Sequence, residues 1–598
     1  MTTAPLAAAR RRTLVLVAVG AAVLLALLAL LFAGIILGRR AHKRTAEAGG
    51  PKRVVALPFQ NLGASEDDYF ADGVADAVRG KLASLSGLEV IARASSAAYK
   101  KAAKSPVQIA RELGVRYLLK ATVRRQKGAG TASRVQVSPE LLEVPGSGAP
   151  TSKWKQPFDA ELAGVFQVHS DIARRVAKGL GVALGAGEEK RLAGKPTQNL
   201  AAYDAFLRGE EASKRGLEDP PSLRRVLSFY DQAVALDPGF AQAWAQVSAT
   251  SSLLYGNGTP EPELGERARN AAEKAVALAP DSPQGYLALG IHRVVVAHDD
   301  KGALELFTQG LRIAPADSDL LRTTARVEQS LGRWEGAAEH FGRAEPLDPR
   351  LTLIKKLFGS TLNYLRRYSQ ARQVFDRGLA LTPADLDLIE FKAMTFLAQG
   401  DLPGARAVLR ATPREVTPAA LVAYMANYGD LVWLLDEEQR DLLLRLTPSA
   451  FGDDQGVWGL CLAEAYALRG DAAGVHTHAE KARKAFEEQV RAAPQDAQRH
   501  ASLGLALAYL GKKEEAIREG ERAVSLQPVT KDAVEGPYNQ HQLARIYVLV
   551  GEPEKALDQL EPLLKIPYWL SPAWLEIDPN FDPLRKNPRF QKLVATTK

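Results

Sequence analysis

Hydrophobic residues follow three different patterns along this chain of 598 residues. A single uninterrupted apolar run lies near the N-terminus. Short apolar runs then alternate with stretches in which apolar residues recur every three or four positions, and the remainder shows the three-to-four-residue spacing alone. The patterns predict a membrane span, a small unit of strands and helices, and a long array of helices.

The uninterrupted run covers residues 13–38 and contains no charged residue. At 1.5 Å per residue, a helix of this length crosses a hydrocarbon core of about 30 Å. The apolar part of a cleavable signal peptide spans only about 7–15 residues, so we expect an uncleaved transmembrane helix. A basic tail, residues 1–12, precedes this helix, and a linker, residues 39–51, follows it.

The orientation of this helix stays open, because basic residues flank both of its ends. Three arginines precede the span and four basic residues follow it, and the positive-inside rule considers only such short flanks. The flanking residues are Arg10, Arg11 and Arg12 on one side and Arg39, Arg40, Lys43 and Arg44 on the other.

Residues 52–185 alternate between strand and helix patterns. Residues 52–59 and 87–93 predict two strands, and between them Phe70, Val74, Val78 and Leu82 lie four apart on one helix face. A further helix begins at Ser105, with Pro106 in its first turn, and ends at Gly114. A hairpin of residues 115–125 and 133–144 and a last helix complete a small α/β domain.

Several segments of this unit resemble the TolB-like domain of bacterial signalling and envelope proteins. The matching segments, in chain order, are "VVALPFQNL", "DDYFADGVADAV", "GLEVIARASSAAYK" and "ARELGVRYLLKATVRR", followed by Trp154 before the last helix. Pro139 within a predicted strand and the "PGSGAPTSK" stretch depart from a smooth hairpin. The resemblance implies the α/β fold and an envelope or signalling setting.

Four carboxylates at the start of the first predicted helix form a candidate site. They are Asp67, Asp68, Asp72 and Asp76. Because acidic side chains are favoured in the first turn of a helix, we interpret them as a solvated face rather than as a catalytic or metal-binding cluster.

Prolines recur at a fixed spacing through the rest of the chain. Each follows a helical pattern, several consecutive pairs are 34 residues apart, and a small residue lies five positions earlier in most copies. The prolines are Pro238, Pro280, Pro315, Pro349, Pro383, Pro494 and Pro528.

This period, together with small residues where two helices would meet, resembles the tetratricopeptide repeat. Gly290, Ala325 and Gly359 lie within the first helix of their units, Phe307 and Phe375 lie in the second, and glycines such as Gly332 separate the two. The predicted fold is an N-terminal transmembrane helix, a small α/β TolB-like domain and an all-α tetratricopeptide-repeat solenoid. After the α/β domain we expect a linker at 186–196, repeats at 197–413, a degenerate helical unit at 414–455, further repeats at 456–567 and a C-terminal cap at 568–598.

The distribution of charge and the single cysteine limit the classes of function that the chain is expected to have. Residues 1–53 hold seven Arg and two Lys against one acid, which gives 9 − 1 = +8 and leaves the remainder formally neutral, so no nucleic-acid partner is expected. The single Cys461 lies in an apolar helical stretch and is interpreted as a buried packing residue. We expect no cofactor, metal or small-molecule substrate and no enzyme activity, because phosphate-loop, nucleophile-elbow and kinase motifs are missing from the sequence.

The concave surface of a repeat solenoid commonly binds peptides or partner proteins. In the most regular units, nine side chains are predicted to point inward and to bind a partner. They are Arg322, Arg326, Gln329, Lys356, Asn363, Tyr364, Tyr538, His541 and Arg545.

Two functions remain in competition. In the first, the chain is a scaffold, anchored by residues 13–38 in a bacterial inner membrane, that recruits protein or peptide partners. In the second, it is the sensory or regulatory part of a signalling system, similar to kinase- or cyclase-linked relatives whose catalytic module is absent from this chain, and its TolB-like domain binds a ligand or partner.

Overall fold

The computed structural model describes residues 52–126, 133–146, 148–214, 219–258, 260–427 and 431–595. The predicted tail, transmembrane helix and linker, residues 1–12, 13–38 and 39–51, lie outside this set. None of the helices in these described ranges is both long and apolar enough to cross a membrane. Within the chain, Val54–Lys598 forms one compact unit.

A mixed sheet of seven strands forms the first part of this unit. Its main order is β3-β1-β4-β5-β6, with β2 beside β4 and β7 beside β5. β1 runs parallel to β4, and β4 and β5 form the predicted antiparallel hairpin. The strands are β1 (Lys52–Ala56), β2 (Gln60–Asn61), β3 (Leu88–Val90), β4 (Tyr117–Gln126), β5 (Arg134–Glu143), β6 (Thr151–Lys155) and β7 (Phe158–Glu161).

Helices cover both faces of this sheet. Side chains along each strand point alternately to the two faces, so each face packs into its own apolar core. Val54 and Leu119 face α1 (Asp68–Ala83) and α4 (Val165–Gly179), whereas Val55 and Leu118 face α3 (Pro106–Leu113). A short helix, α2 (Arg93–Ala97), lies between β3 and α3.

The predicted helix signals in this part are confirmed. Phe70, Val74, Val78 and Leu82 are all buried on α1. The Ser105 side chain accepts from the Gln108 amide in a capping box, and Gly114 ends α3 in the left-handed conformation with φ 64°.

Pro139 lies inside β5, where the sequence pattern casts doubt on smooth pairing. One edge of β5 pairs with β4 through Pro139 itself. On the other edge, β7 pairs with residues 134–137 and β6 pairs from Glu140 onward, after which a bulge lies between Leu141 and Leu142. Pro139 therefore falls in the gap between β6 and β7, where its missing N–H breaks no ladder.

The predicted linker at 186–196 is wrong in one respect, because it contains a packed helix, α5 (Ala186–Ala193). Leu192 on this helix is fully buried. The Lys81 ammonium of α1 donates to the carbonyl oxygens of Leu192 and Gly194, at 2.6 and 3.0 Å. Helix α5 thus belongs to the sheet unit, which we define as residues 52–193.

Helix pairs follow, as the proline period predicts. They are α6 (Leu200–Ser213) and α7 (Pro220–Leu236), α8 (Ala241–Asn257) and α9 (Pro262–Leu278), α10 (Pro283–Val295) and α11 (Asp300–Ile313), α12 (Ser318–Ser330) and α13 (Trp334–Ala344), α14 (Thr352–Tyr364) and α15 (Tyr368–Leu379), and α16 (Leu386–Leu397) and α17 (Leu402–Arg410). After the degenerate region come α20 (Gln455–Ala467) and α21 (Ala472–Ala492), α22 (Ala497–Tyr509) and α23 (Lys513–Leu526), and α24 (Glu535–Leu549) and α25 (Pro553–Leu563).

Small residues bring the two helices of a pair together. A Cβ atom built on Gly290 would lie 2.2 Å from the Phe307 ring, and one on Gly359 would lie 2.2 Å from the Phe375 ring. Glycines end the first helices at φ 71–77°, a conformation that other residues rarely adopt. These glycines are Gly332, Gly400, Gly470, Gly511 and Gly551.

The degenerate region contains only short helices. They are α18 (Pro418–Asn427), the 3₁₀ turn Val432–Leu434, α19 (Glu437–Leu443) and the 3₁₀ turn Pro448–Phe451. Cys461 on the next helix is 5% exposed and donates to the Ala426 carbonyl oxygen at 3.3 Å, which confirms its predicted packing role.

The chain ends in α26 (Pro572–Ile577), the 3₁₀ segment Pro579–Leu584 and α27 (Pro588–Ala595). The four aromatic residues predicted to cap the array, Trp569, Trp574, Phe581 and Phe590, are all buried. The Trp574 ring contacts Trp433 of the degenerate region, with centroids 5.8 Å apart. The end of the chain therefore packs against its middle as well as against the last repeat.

Candidate functional site

A crevice of about 590 Å³ opens where β1 and β3 end. Ala56 and Pro58, at the end of β1, line one side, and Arg93 and Ser96, which follow β3, line another. From β1 the chain continues to α1 on one face of the sheet, and from β3 it continues to α3 on the opposite face. Ligands of α/β proteins commonly bind at such a divergence.

Asp72 lines this crevice and is 7% exposed. Its Oδ2 atom accepts from the ammonium groups of Lys100 and Lys214, each at 2.6 Å. Lys214 follows helix α6, so this carboxylate joins the sheet unit to the first helix pair. Burial lowers the pKa of Lys214, but the hydrogen bonds to Asp72 and Glu211 outweigh it, and the pKa is raised overall.

Arg93 forms a second connection across the same boundary. Its Nε atom lies 3.0 Å from Asp76, and its Nη1 atom lies 2.5 Å from the carboxylate of Glu210 on α6. Glu210 also accepts from the Tyr230 hydroxyl, at 2.8 Å. Burial lowers the pKa of Arg93, whereas Asp76 and Glu210 raise it by more, so the guanidinium stays charged.

The interpretation of the early carboxylates as a solvated face is wrong for Asp67 and Asp72, which are 3% and 7% exposed. Asp67 lies 3.5 Å from Arg125, and Asp72 binds two lysines. When no cation lies three or four residues from an acidic residue on a helix, the sequence does not show that this residue is buried in an ion pair. The missed residues, Arg93, Lys100 and Lys214, are distant along the chain from the acids that they neutralise.

The sheet unit also contacts the array further along. The Ala92 amide donates to the Leu347 carbonyl oxygen at 2.8 Å, and the Arg350 amide donates to the Ser95 hydroxyl at 2.8 Å. Ser95 in turn donates to the Asp348 carboxylate. The sheet unit is thus held both by the first helix pair and by the turn that precedes α14.

Three of the predicted partner-binding residues lie on α12. Arg326 is exposed, and Arg322 is half-buried with its Nη2 atom 3.2 Å from Asp319. Gln329 is buried, and its amide donates to the Thr361 hydroxyl at 2.8 Å. Arg322 and Arg326 are therefore open to a partner, whereas Gln329 fastens α12 to α14.

Three more lie on α14, in three different environments. The Lys356 ammonium binds Asp385 at 2.9 Å and also binds Asp387. Asn363 is buried. Tyr364 packs between Trp334 and Tyr568, with ring centroids 4.9 and 5.9 Å apart, so the chain's own C-terminal segment covers it.

The last three lie on α24. Tyr538 is half-buried, His541 is 2% exposed and Arg545 is 3% exposed. His541 packs on Trp569 and stacks on Phe581, and Arg545 lies 3.1 Å from the Glu464 carboxylate. Burial, with a contribution from Arg545, lowers the pKa of His541 to about 3. His541 and Arg545 therefore lie inside the array rather than on an open surface.

Contacts between distant parts of the array explain why several of the nine predicted residues are covered. The Ala533 amide donates to the Ser330 carbonyl oxygen at 2.9 Å, and the Ser571 hydroxyl donates to the Ala398 carbonyl oxygen at 2.6 Å. The C-terminal part of the chain thereby packs against the ends of the first helices α12 and α16. Of the nine predicted residues, Arg322, Arg326 and Lys356 have side chains that reach solvent and carry charge. Partner binding by any of the nine stays a prediction.

The described ranges contain no group of three or more His, Cys, Asp or Glu residues arranged to hold a metal ion. The crevice is lined by charged side chains, several of them held in ion pairs, which could bind a polar ligand. The first helices of the array carry the cations Arg322 and Arg326 and the half-buried apolar residues Leu287 and Ile291.

Comparison with known proteins relates part of this chain to part of another protein. No protein-family profile matches the chain. Over 247 residues it is 32% identical to "Putative adenylate cyclase 3" of Rhizobium meliloti (strain 1021), a match that covers 40% of this chain and 39% of that protein.

Among solved structures, the chain is similar to tetratricopeptide-repeat proteins. A thermophilic tetratricopeptide-repeat protein of Thermus thermophilus is 19% identical, with 33% of this chain and 100% of that chain covered and a TM-score of 0.28. A tetratricopeptide repeat protein of Parabacteroides merdae ATCC 43184 is 15% identical, with 50% and 97% covered and a TM-score of 0.32. Human IFIT1, solved as a dimer with PPP-AAAA, is 16% identical, with 61% and 79% covered and a TM-score of 0.31. None of these scores indicates a shared overall arrangement.

Proposed function

We propose that the chain is a non-catalytic scaffold, anchored in a bacterial inner membrane, that binds a protein or peptide partner on the inner surface of its third to fifth helix pairs. The supporting observation is a row of cations on neighbouring first helices. Arg322 and Arg326 lie on α12, and Lys356 lies on α14.

Apolar side chains lie on the preceding first helix, α10. Leu287, Ile291 and Val294 of α10 are half-buried and pack against a cluster that contains Val327 of α12. An extended peptide that carries apolar residues and a carboxylate fits this surface. The arginines would hold the carboxylate through charge-assisted hydrogen bonds, and α10 would cover the apolar residues.

A triple charge reversal tests this surface. The full-length chain, purified from solubilised membranes, is compared with a variant carrying Arg322→Glu, Arg326→Glu and Lys356→Glu. The matched control carries Arg225→Glu, Lys301→Glu and Arg518→Glu, three exposed positions on second helices, and changes the net charge equally. We expect the inner-surface variant to lose the co-purifying partner and the control to retain it. Equal recovery with both variants contradicts the proposed surface.

The membrane anchor rests on residues 13–38, which carry no charge. An integral protein stays in the membrane fraction after alkaline carbonate extraction, so this measurement tests the anchor. Protease treatment of intact spheroplasts then shows which side of the membrane carries the repeats. Release of the chain by carbonate would contradict anchoring.

A second function, regulation by a ligand that binds the TolB-like unit, is favoured by two observations. The crevice is lined by residues of both the sheet unit and α6, so its occupation would change the contact between them. In addition, a relative that is 32% identical to this chain over 247 residues bears the name of an adenylate cyclase. This function is tested by measuring whether ligand binding at the crevice changes partner recovery by the array.

A further inference from the structure

We propose that the crevice at the ends of β1 and β3 binds a small anionic polyol, a molecule in which hydroxyl groups adjoin a phosphate or a carboxylate. The inference rests on the second function proposed above and adds the site and the chemical class of its ligand.

The unpartnered oxygen belongs to Asp72. The side chain is 8% exposed, and its Oδ2 atom binds both lysines, whereas its Oδ1 atom is buried and has no hydrogen-bond partner among the described residues. An unsatisfied buried carboxylate oxygen costs free energy that a donor would recover. The side chains of Lys100 and Lys214 are 34% and 29% exposed, so a ligand that displaces either ammonium gains access to the carboxylate.

A hydroxyl group is the donor that suits this position. Asp72 keeps one lysine beside it after the exchange, so its charge stays paired and a neutral hydroxyl suffices as the new donor. The displaced lysine then requires an anion in place of Asp72. The ligand therefore carries a hydroxyl for the carboxylate and an anionic group for the lysine.

Lys101 also favours an anionic ligand in the crevice. Five carboxylates and four cations line the crevice, and of the cations Arg93, Lys100 and Lys214 all form ion pairs. Lys101 is exposed and forms no ion pair with any residue in the described ranges. It is thus the one lining cation whose charge is available without rearrangement, and it adjoins Lys100 in the sequence.

The size of the crevice limits the ligand. At about 590 Å³ it lies within the range of roughly 300–1,000 Å³ that small-molecule sites occupy. A lone phosphate would leave most of it unfilled, whereas a sugar phosphate or a sugar acid would fill more of it. Because Glu211 and Lys214 also line the crevice, such a ligand would contact both the sheet unit and the first helix pair.

Isothermal titration calorimetry on the detergent-purified full-length chain tests the proposal. The probes are ribose 5-phosphate, glucuronate, ribose and inorganic phosphate. We expect ribose 5-phosphate or glucuronate to bind at least tenfold more tightly than ribose or phosphate alone, and the tighter of the two identifies the anion. Loss of one charge-assisted hydrogen bond weakens binding roughly tenfold or more, which we expect for both Lys101→Ala and Asp72→Asn.

Two controls keep this test decisive. Lys586→Ala removes an exposed lysine at the other end of the chain and should leave binding unchanged. Lys101 is exposed, so Lys101→Ala should fold even if Asp72→Asn does not, and circular dichroism checks both. Binding of none of the probes, or equal binding by the Lys101→Ala variant and the unmodified chain, overturns the proposal. Binding of a probe that leaves partner recovery by the array unchanged would contradict the regulatory function alone, so the two failures are distinguishable.

Discussion

The Arg93 guanidinium donates to the Glu210 carboxylate at 2.5 Å and also to the Glu210 carbonyl oxygen at 3.1 Å. Arg93 follows β3 of the sheet unit, and Glu210 lies on α6, the first helix of the array. Both side chains are largely buried, with 25% and 17% exposed. The two parts of the chain are therefore joined by a partly desolvated ion pair as well as by apolar packing.

Replacement of Glu210 by Gln should loosen this junction. The variant leaves Arg93 with less compensating charge and weakens the acceptor of the Tyr230 hydroxyl. Loss of a hydrogen bond to a charged group costs about 1.5–3 kcal/mol, so we expect the free energy of unfolding to fall by about 2 kcal/mol. Limited proteolysis should also cut between the sheet unit and the array sooner than in the unmodified chain.

The exposed pair Arg134 and Asp159 provides the control for this prediction. Their side chains are 50% and 56% exposed. Exposed ion pairs contribute only about 0–1 kcal/mol, so Asp159→Asn should leave both the unfolding midpoint and the proteolysis rate nearly unchanged. An equal effect of the two variants would contradict a structural role for the Arg93 and Glu210 pair.

Two helical glycines should respond to alanine in opposite ways. A Cβ on Gly359 would lie 2.2 Å from the Phe375 ring, whereas a Cβ on Gly80 would meet no atom within 4 Å. Alanine favours helix over glycine by about 1 kcal/mol, so Gly80→Ala should stabilise the protein. Gly359→Ala should destabilise it by about 1–3 kcal/mol, because the Phe375 ring must move in a closely packed interior.

Chemical denaturation of both glycine variants measures whether each substitution raises or lowers the free energy of unfolding. The helix-propensity gain is common to the two substitutions, so their difference measures the steric contribution. Stabilisation by Gly359→Ala would show that the two helices of this pair do not require close approach.

Features that depend on neighbours in the sequence were predictable. The apolar face of α1, the Ser105 cap and the helix break at Gly332 each arise from a few consecutive residues, and the structure confirms them. The repeat period likewise gives the helix pairs, because each unit carries the same packing positions.

Contacts between distant residues were not predictable from those patterns. Asp72 is neutralised by Lys214, 142 residues away, and the rule that acids favour a helix start gives no hint of this. Inward positions of the array were assigned from repeat register alone. Register cannot show that Tyr568 covers Tyr364, because that contact joins residues from distant parts of the chain.

His541 is enclosed by aromatic rings, and its charge state links stability to pH. Its ring centroid lies 5.0 Å from Trp569 and 5.9 Å from Phe581, and burial, with Arg545 nearby, lowers its pKa to about 3. In the unfolded chain a histidine has a pKa of about 6.5. The unfolded state therefore binds a proton below this pH while the folded state does not, and stability is lost as the pH falls from about 6.5 towards 3.

Replacement of His541 by Phe should remove this part of the pH dependence. At pH 5 the unfolded state gains about 1.5 pH units of protonation free energy at this site, which corresponds to about 2 kcal/mol. We expect the loss of unfolding free energy between pH 7 and pH 5 to be smaller in the His541→Phe variant by about that amount, in urea titrations followed by tryptophan fluorescence. The control is His476→Gln, since His476 is exposed on α21. A loss in the His541→Phe variant as large as in the unmodified chain would show that His541 takes up its proton in the folded state, and that its aromatic enclosure does not exclude the charge.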